Sequence, residues 1–287
     1  MSNDARTVWV AYFVAAAVAV YTAHSVTSDH PLWVTLWADV AATVAIFCFS
    51  ALYRNSSFYD AYWSVAPIAI LAWWYTLALP EVPHARQGLV VMLVLLWAVR
   101  LTWNWARGWE GLHHEDWRYG LLAEKSGIAY WPVSFVGIHM LPTLWVFAGC
   151  LPLWPALAVG TAPLSWLDGI AFVVTAGSIA IEALADEQLR AYRKQPHTKG
   201  EFLRTGLWAW CRHPNYLGEI GFWWGLFLFG LAADSTWAWT GVGALAITLL
   251  FRIVSLPMIE GRMRERRPDY AAWAERSSLL LPWPARR

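Results

Sequence analysis

Between residues 8 and 256 the chain returns repeatedly to long apolar runs broken by short charged segments. A bilayer core needs roughly 17–25 apolar residues per helix. Runs of that kind occur near 8–27, 32–53, 62–79, 88–106, 131–155, 166–185, 217–232 and 236–256. Inside lipid every backbone group must be satisfied within its own element, so such runs become helices. Charged residues make up 14% of the chain, against about 25% in a soluble domain. The expected fold class is therefore all-α: a polytopic membrane helix bundle of seven to eight spans, one domain over 1–287. The seventh run is short and could form a broken hairpin with the eighth.

Positive charge tests the count, because Lys and Arg collect on the cytoplasmic side of membrane helices. With eight spans and both termini cytoplasmic, the inside segments hold Arg6, Arg54, Arg107, Arg118 and Lys125. They also hold Arg190, Arg193, Lys194, Lys199, Arg204 and Arg212, and in the tail Arg262, Arg264, Arg266, Arg267, Arg276, Arg286 and Arg287. That is 18 of the 21 Lys and Arg. Arg86 alone falls outside, while Arg100 and Arg252 lie within spans. Removing any of the first six spans would break this segregation. A net charge of +1 gives no global field for nucleic acid. Three Cys without paired spacing argue against a disulfide or zinc framework. The polar start, MSNDAR, does not read as a cleaved signal peptide.

Five polar clusters stand at the ends of the spans. In the first, Glu182, Asp186 and Arg190 share one helix face at i,i+4 spacing, with Glu187 and Arg193 nearby. They make either interfacial ion pairs or a polar cofactor site, with carboxylates for hydroxyls and arginines for phosphates. The second is RHPNYLGE, Arg212–Glu219. Pro214 suits a first helical turn, and Asn215 and Glu219 then share a face. A helix cap with a basic flank explains it blandly. A carboxylate one turn inside a span is otherwise a functional hypothesis.

The third cluster is RNSSFYDAYW, Arg54–Trp63. Ser57 and Asp60 match a helix-start signature, and capping alone would account for Asp60. Yet Tyr59, Asp60 and Tyr62 group proton donors where an acid could meet a substrate carbonyl. The fourth is RGWEGLHHEDWRY. Arg107, Asp116, Arg118 and Tyr119 could shape an anionic-ligand pocket. Adjacent His113 and His114 point apart on a helix, so a metal site is not expected. In the fifth, Arg252, Leu256, Glu260 and Arg264 recur every four residues, with a kink expected at Pro257. The stretch GVGALA from Gly241 matches GxGxxA. It lies within an apolar run with no preceding strand, so no Rossmann domain is expected.

Three stretches, ALADEQLRAYRK, FLRTGLWAWCRHPNYLGEIGFW and PMIEGRMRERRPDYAAWAERSSLLLPW, resemble the membrane steroid 5-alpha-reductase family. More narrowly, they are similar to its bacterial DUF1295 branch. The likeness covers about 55–287, strongest after 180, with residues 1–54 as an N-terminal addition. It implies a reductase, in a bacterial inner membrane, that takes NADPH from the cytoplasm. The substrate it implies is a steroid-like or other apolar enone lipid, reduced at the conjugated carbon–carbon double bond.

Matched by position, Asp186, Arg193, Asn215 and Glu219 are its implied cofactor-site residues. Arg190 and Arg204 follow, and Arg212, Tyr216, Arg107, Arg118 and Glu260 are further cofactor-site candidates from their own clusters. Asp60 stands where the family has a Glu that holds the substrate carbonyl. The family's partner tyrosine is Trp97 here, which leaves Tyr59 or Tyr62 as substitutes. R-H-P-x-Y-x-G also occurs in isoprenylcysteine carboxyl methyltransferases. An S-adenosylmethionine-dependent methyltransferase and a non-catalytic lipid-binding protein are therefore the alternatives.

Overall fold

The computed structural model describes residues 2–283 except Asp29, His197 and Lys199. Lys199, Arg286 and Arg287, counted in the charge argument, lie outside the described residues. Among the described residues the chain is mainly helical and without strands. The helices are α1 (Asn3–Ser25), α2 (Pro31–Tyr53), α3 (Tyr62–Thr76), α4 (His84–Gly108), α5 (Trp117–Ser126) and α6 (Tyr130–Ser134). They continue with α7 (Leu141–Cys150), α8 (Trp166–Arg193), α9 (Pro214–Ala233), α10 (Gly241–Leu250), α11 (Leu256–Arg266) and α12 (Tyr270–Arg276).

Among the described residues, seven helical stretches are long and apolar enough to cross a membrane. Large apolar side chains such as Trp9, Phe13, Tyr21, Trp166 and Val173 point outward, as lipid-facing positions require. The chain is a multi-pass α-helical membrane protein. Of the eight expected spans, 62–79 is the one that falls short. Its helix, α3, has 15 residues, about 22 Å at 1.5 Å per residue, against a hydrocarbon core of about 30 Å. The runs at 217–232 and 236–256 are separate helical stretches. GVGALA lies in α10, in helix with no strand before it.

Two prolines within these spans are accommodated in the same way. A π-helical turn, Phe135–Met140, precedes Pro142, and another, Phe251–Ser255, precedes Pro257. Proline has no N–H to give and crowds the carbonyl four residues back. A wider turn before it relieves the crowding. The irregularity expected at Pro257 is thus a local widening of the helix.

The chain divides into two compact units. The first comprises Met1–Leu79 and Val94–Cys150, the second Pro80–Leu93 and Leu151–Arg287. In the first, Ala11 and Ala15 of α1 and Ala42 and Ile46 of α2 share one buried cluster with Phe58, Tyr59 and Tyr62. Hydroxyls cross-link this unit within the apolar interior: Thr43 to Thr143 at 2.8 Å, Ser50 to His139 at 2.9 Å, and Trp74 to Thr35 at 2.8 Å.

In the second unit α8 and α9 pack closely. Gly218, Gly221 and Gly225 of α9 lie against Ser178, Glu182 and Thr175 of α8. Small residues allow this approach where lipid gives helices no hydrophobic reason to associate. Arg86 is fully buried here. Its guanidinium donates to Asp168 at 2.7 and 3.0 Å and to the carbonyls of Ala162, Pro163 and Ala232. Arg86, the arginine left outside the charge segregation expected for eight spans, is an internal clamp. Asp168 also completes the Ser165 capping box that starts α8.

Candidate functional site

In the first unit the site is built where the α2–α3 connection meets the segment before α5. Arg54 ends α2 in the left-handed region, φ 53°. Asn55 then accepts from Ser57 N at 2.8 Å and donates to the carbonyls of Leu112 and His114 at 2.8 and 3.1 Å. Glu115 accepts from Ser56 N at 2.5 Å. The Ser56 hydroxyl reaches Tyr130 at 2.7 Å and Ser134 at 3.1 Å. This lattice holds a short 3₁₀ turn, Ser56–Tyr59, and sets Asp60 at its end.

Asp60 does not cap α3. The residue before that helix is Ala61, and no side chain caps it. The helix-start signature is therefore not used as one. Instead the Tyr119 hydroxyl donates to Asp60 Oδ1 at 2.5 Å. Burial lifts the Asp60 carboxyl to about 6, hydrogen bonds from Tyr119 and Ser57 partly offset the rise, and nearby Asp116 adds to it. Burial likewise lifts Glu115. Arg118 is held by Asp116, with N–O distances of 2.8 and 3.1 Å.

Tyr59 and Tyr62 turn elsewhere. Tyr59 meets Thr143 at 2.8 Å, and Tyr62 donates to Asp39 at 2.8 Å. The tyrosine beside Asp60 is thus Tyr119, which the sequence places in a different cluster. Spacing does not find that pairing, since 59 residues separate the two. Sequence reasoning also passes over Asp39. Its signal was available: a lone carboxylate in the apolar run 32–53.

The second unit holds most of the expected cofactor-site residues. Asn215 Nδ2 donates weakly to Asp186 Oδ1 at 3.4 Å, joining the first turn of α9 to α8. Asn215 Oδ1 is buried without a hydrogen-bond partner among the described residues. Glu219 accepts from Trp223 Nε1 at 2.9 Å. Arg190 pairs with Glu187 at 3.8 Å. Arg193, Arg266 and Arg267 line a cavity of about 310 Å³ together with Tyr192, Thr198 and Glu201. Arg204 lies over the Phe202 ring at 4.9 Å.

Arg212 and Glu260 belong to one fastening. Glu260 Oε1 lies 3.0 Å from Arg212 Nε, 2.7 Å from His213 Nε2 and 2.6 Å from the Tyr270 hydroxyl. Arg212 also donates to the carbonyls of Ala274 and Ser277 at 2.7 and 2.5 Å. Burial and the bond to Glu260 push the Tyr270 phenol up. The guanidinium that could have met phosphate is largely spent on holding the C-terminal segment. Tyr216 packs edge-on between His213 and Phe251. Arg107 and Arg118 belong to the first unit, and the others in this set to the second. No group of three or more His, Cys, Asp or Glu that could hold a metal occurs among the described residues.

Fold and polar clusters together define a polytopic helical membrane protein with charged clusters at its span ends. Residues 46–277 match the family described as protein of unknown function (DUF1295), and the chain belongs to that family. It is also 26% identical over 253 residues to an uncharacterized protein of Schizosaccharomyces pombe. That match covers 80% of this chain and 73% of the yeast protein. No solved structure matches the chain.

Proposed function

We propose that the protein is an NADPH-dependent membrane reductase that saturates the conjugated double bond of a steroid-like or other apolar enone. The observation that carries this reading is the Asp60–Tyr119 pair, an acid lifted to about 6 and bonded to a phenol. Such a pair can donate to a carbonyl oxygen and stabilise the negative charge that develops there. Asp60 supplies the proton, and Tyr119 holds the carboxyl in place.

The second unit fits a dinucleotide. Arg193, Arg266 and Arg267 offer charge-assisted bonds to phosphate. The unpartnered Asn215 oxygen can accept from a carboxamide or ribose hydroxyl. When bound, NADPH supplies hydride to the β-carbon of the enone. On this reading the arginine-rich segment after α8 and the arginines at the end of α11, two spans apart, face the cytoplasm of a bacterial inner membrane, where NADPH is available.

The test uses purified protein in detergent. NADPH and S-adenosylmethionine binding are measured by calorimetry, and NADPH oxidation is followed by absorbance across a panel of apolar enones. Binding of NADPH with enone-dependent oxidation supports the reading. Binding of S-adenosylmethionine alone would establish the methyltransferase alternative. Binding of neither, with helical content intact, leaves a lipid-binding protein.

A further inference from the structure

A cavity of about 340 Å³ lies among α1, α2 and α3, entirely within the first unit. That volume falls in the usual range for small-molecule pockets. Its walls are mostly small and apolar, with Ala15 and Ala19 on α1, Ala42 on α2 and Ala66 on α3. No Lys or Arg is among the lining residues. One carboxylate is: Asp39, 7% exposed. Its Oδ1 accepts from the Tyr62 hydroxyl at 2.8 Å. Its Oδ2 is buried and has no hydrogen-bond partner among the described residues.

We propose that this cavity binds an apolar molecule carrying a single hydroxyl or carbonyl oxygen, which Asp39 holds while Tyr62 fixes the carboxyl. A buried polar atom left without a partner is costly, and native interiors rarely tolerate it. An acyl chain or other pure hydrocarbon would fill the walls and leave Oδ2 unsatisfied. A phosphate or free carboxylate would meet Asp39 with no lysine or arginine to neutralise it. A neutral ligand oxygen resolves both. A hydroxyl donates to Oδ2, and a carbonyl accepts from it when the acid carries its proton. The site does not depend on the reductase reading, because it binds with or without turnover.

The probes are farnesol, farnesal and their oxygen-free analogue farnesane, with binding to purified protein in nanodiscs measured by competition against a fluorescent isoprenoid. In the wild type, farnesol and farnesal should each bind about tenfold or more tighter than farnesane, the scale of one hydrogen bond to a charged or acidic group. Asp39→Ala should bring all three probes to the farnesane level. Asp39→Asn keeps the acceptor for Tyr62 and replaces the free oxygen with an N–H₂ donor. It should shift the preference toward farnesal over farnesol, and its near-identical size guards against a folding artefact. Equal binding of the three probes to the wild type would overturn the proposal. So would an unchanged preference in Asp39→Asn, with helical content and monodispersity preserved.

Discussion

Tyr119 donates its phenolic hydrogen to Asp60 across 2.5 Å, joining the turn before α3 to the first turn of α5. The bond lies among buried groups, with a second carboxylate, Asp116, close enough to raise the Asp60 pKa. A carboxyl in that setting keeps its proton well above the ordinary aspartate range.

The first prediction concerns stability against pH. Folded Asp60 titrates at about 6, whereas an unfolded aspartate titrates near about 3.9. Below both values each state holds the proton, and Asp60 adds no pH dependence. Between them the folded state binds more protons, so its stability falls as pH rises. Above about 6 the penalty is constant. Asp60→Asn removes the titration, so its melting temperature should gain on the wild type from pH 4 to 6.5 and hold that gain at pH 7.5. Parallel melting profiles for the two proteins would rule out the raised acid.

Tyr119→Phe gives the second prediction. The lost hydrogen bond favoured the ionised carboxylate, so the Asp60 midpoint should move above about 6. Infrared difference spectroscopy of the protonated carboxyl band would report it, with Asp60→Asn identifying the band. On the reductase reading, Asp60→Asn should also lower turnover by about 10²–10⁴-fold while NADPH still binds. An unmoved midpoint in Tyr119→Phe would mean that the bond is not made in solution.

How far the sequence leads differs between fold and site. Apolar run length alone locates the spans, because a continuous run of about 20 apolar residues satisfies its own backbone in lipid only as a helix. It misjudges α3, whose run continues to Leu79 while its helix stops at Thr76. Local spacing marks Asp60, Asn215 and the arginines as out of place in an apolar chain. It does not say what they touch. The Asp60–Tyr119 and Arg212–Glu260 contacts, the latter between residues 48 apart, follow from tertiary packing that no periodicity encodes. Asp39 is the instructive omission. It sits alone, without the neighbouring polar residues that draw attention to the other clusters, and its meaning appears only with the cavity beside it.

The third prediction tests the close approach of α8 and α9. A Cβ at Gly218 would lie 2.6 Å from the Ser178 carbonyl oxygen and 2.7 Å from Glu182 Cβ. Gly218→Ala should therefore cost about 1–3 kcal/mol through overpacking. Gly177 in α8 has nothing within 4 Å of such a carbon, and Gly177→Ala should be neutral or stabilise by up to about 1 kcal/mol. Thermal melts of the two variants in one detergent provide the comparison. Equal melting temperatures would refute tight packing at Gly218.

Glu260 carries the fourth. Three donors converge on its Oε1, and removing it strands the Arg212 guanidinium, which is about 10% exposed. Breaking a buried pair from one side costs about 3–5 kcal/mol. Glu260→Ala should lower the melting temperature and speed tryptic cleavage at Arg264 and Arg266. Glu260→Gln keeps an acceptor and should fall between Ala and wild type. Unchanged cleavage in Glu260→Ala would show that the C-terminal segment is held by other contacts, such as the Phe202–Tyr270–Trp273 cluster.

The last prediction separates the cofactor reading from a purely structural one. Asn215 Oδ1 lacks a partner among the described residues, whereas its Nδ2 reaches Asp186. If the oxygen serves a ligand, Asn215→Ala should weaken NADPH binding by up to about tenfold, the scale of one hydrogen bond, with little change in the melting temperature of the unliganded protein. If Asn215 only ties α9 to α8, the melting temperature should fall and the affinity of the folded fraction should hold. Arg193→Ala and Arg267→Ala address the phosphates around the second cavity. Each should weaken binding by roughly tenfold or more, since a bond to a charged group contributes about 1.5–3 kcal/mol. Each should also flatten the dependence of affinity on salt, because exposed charge pairs are screened. Calorimetry at 50 and 300 mM salt on the wild type and the three variants gives both readings. Full affinity in both arginine variants would exclude this cavity as the phosphate site.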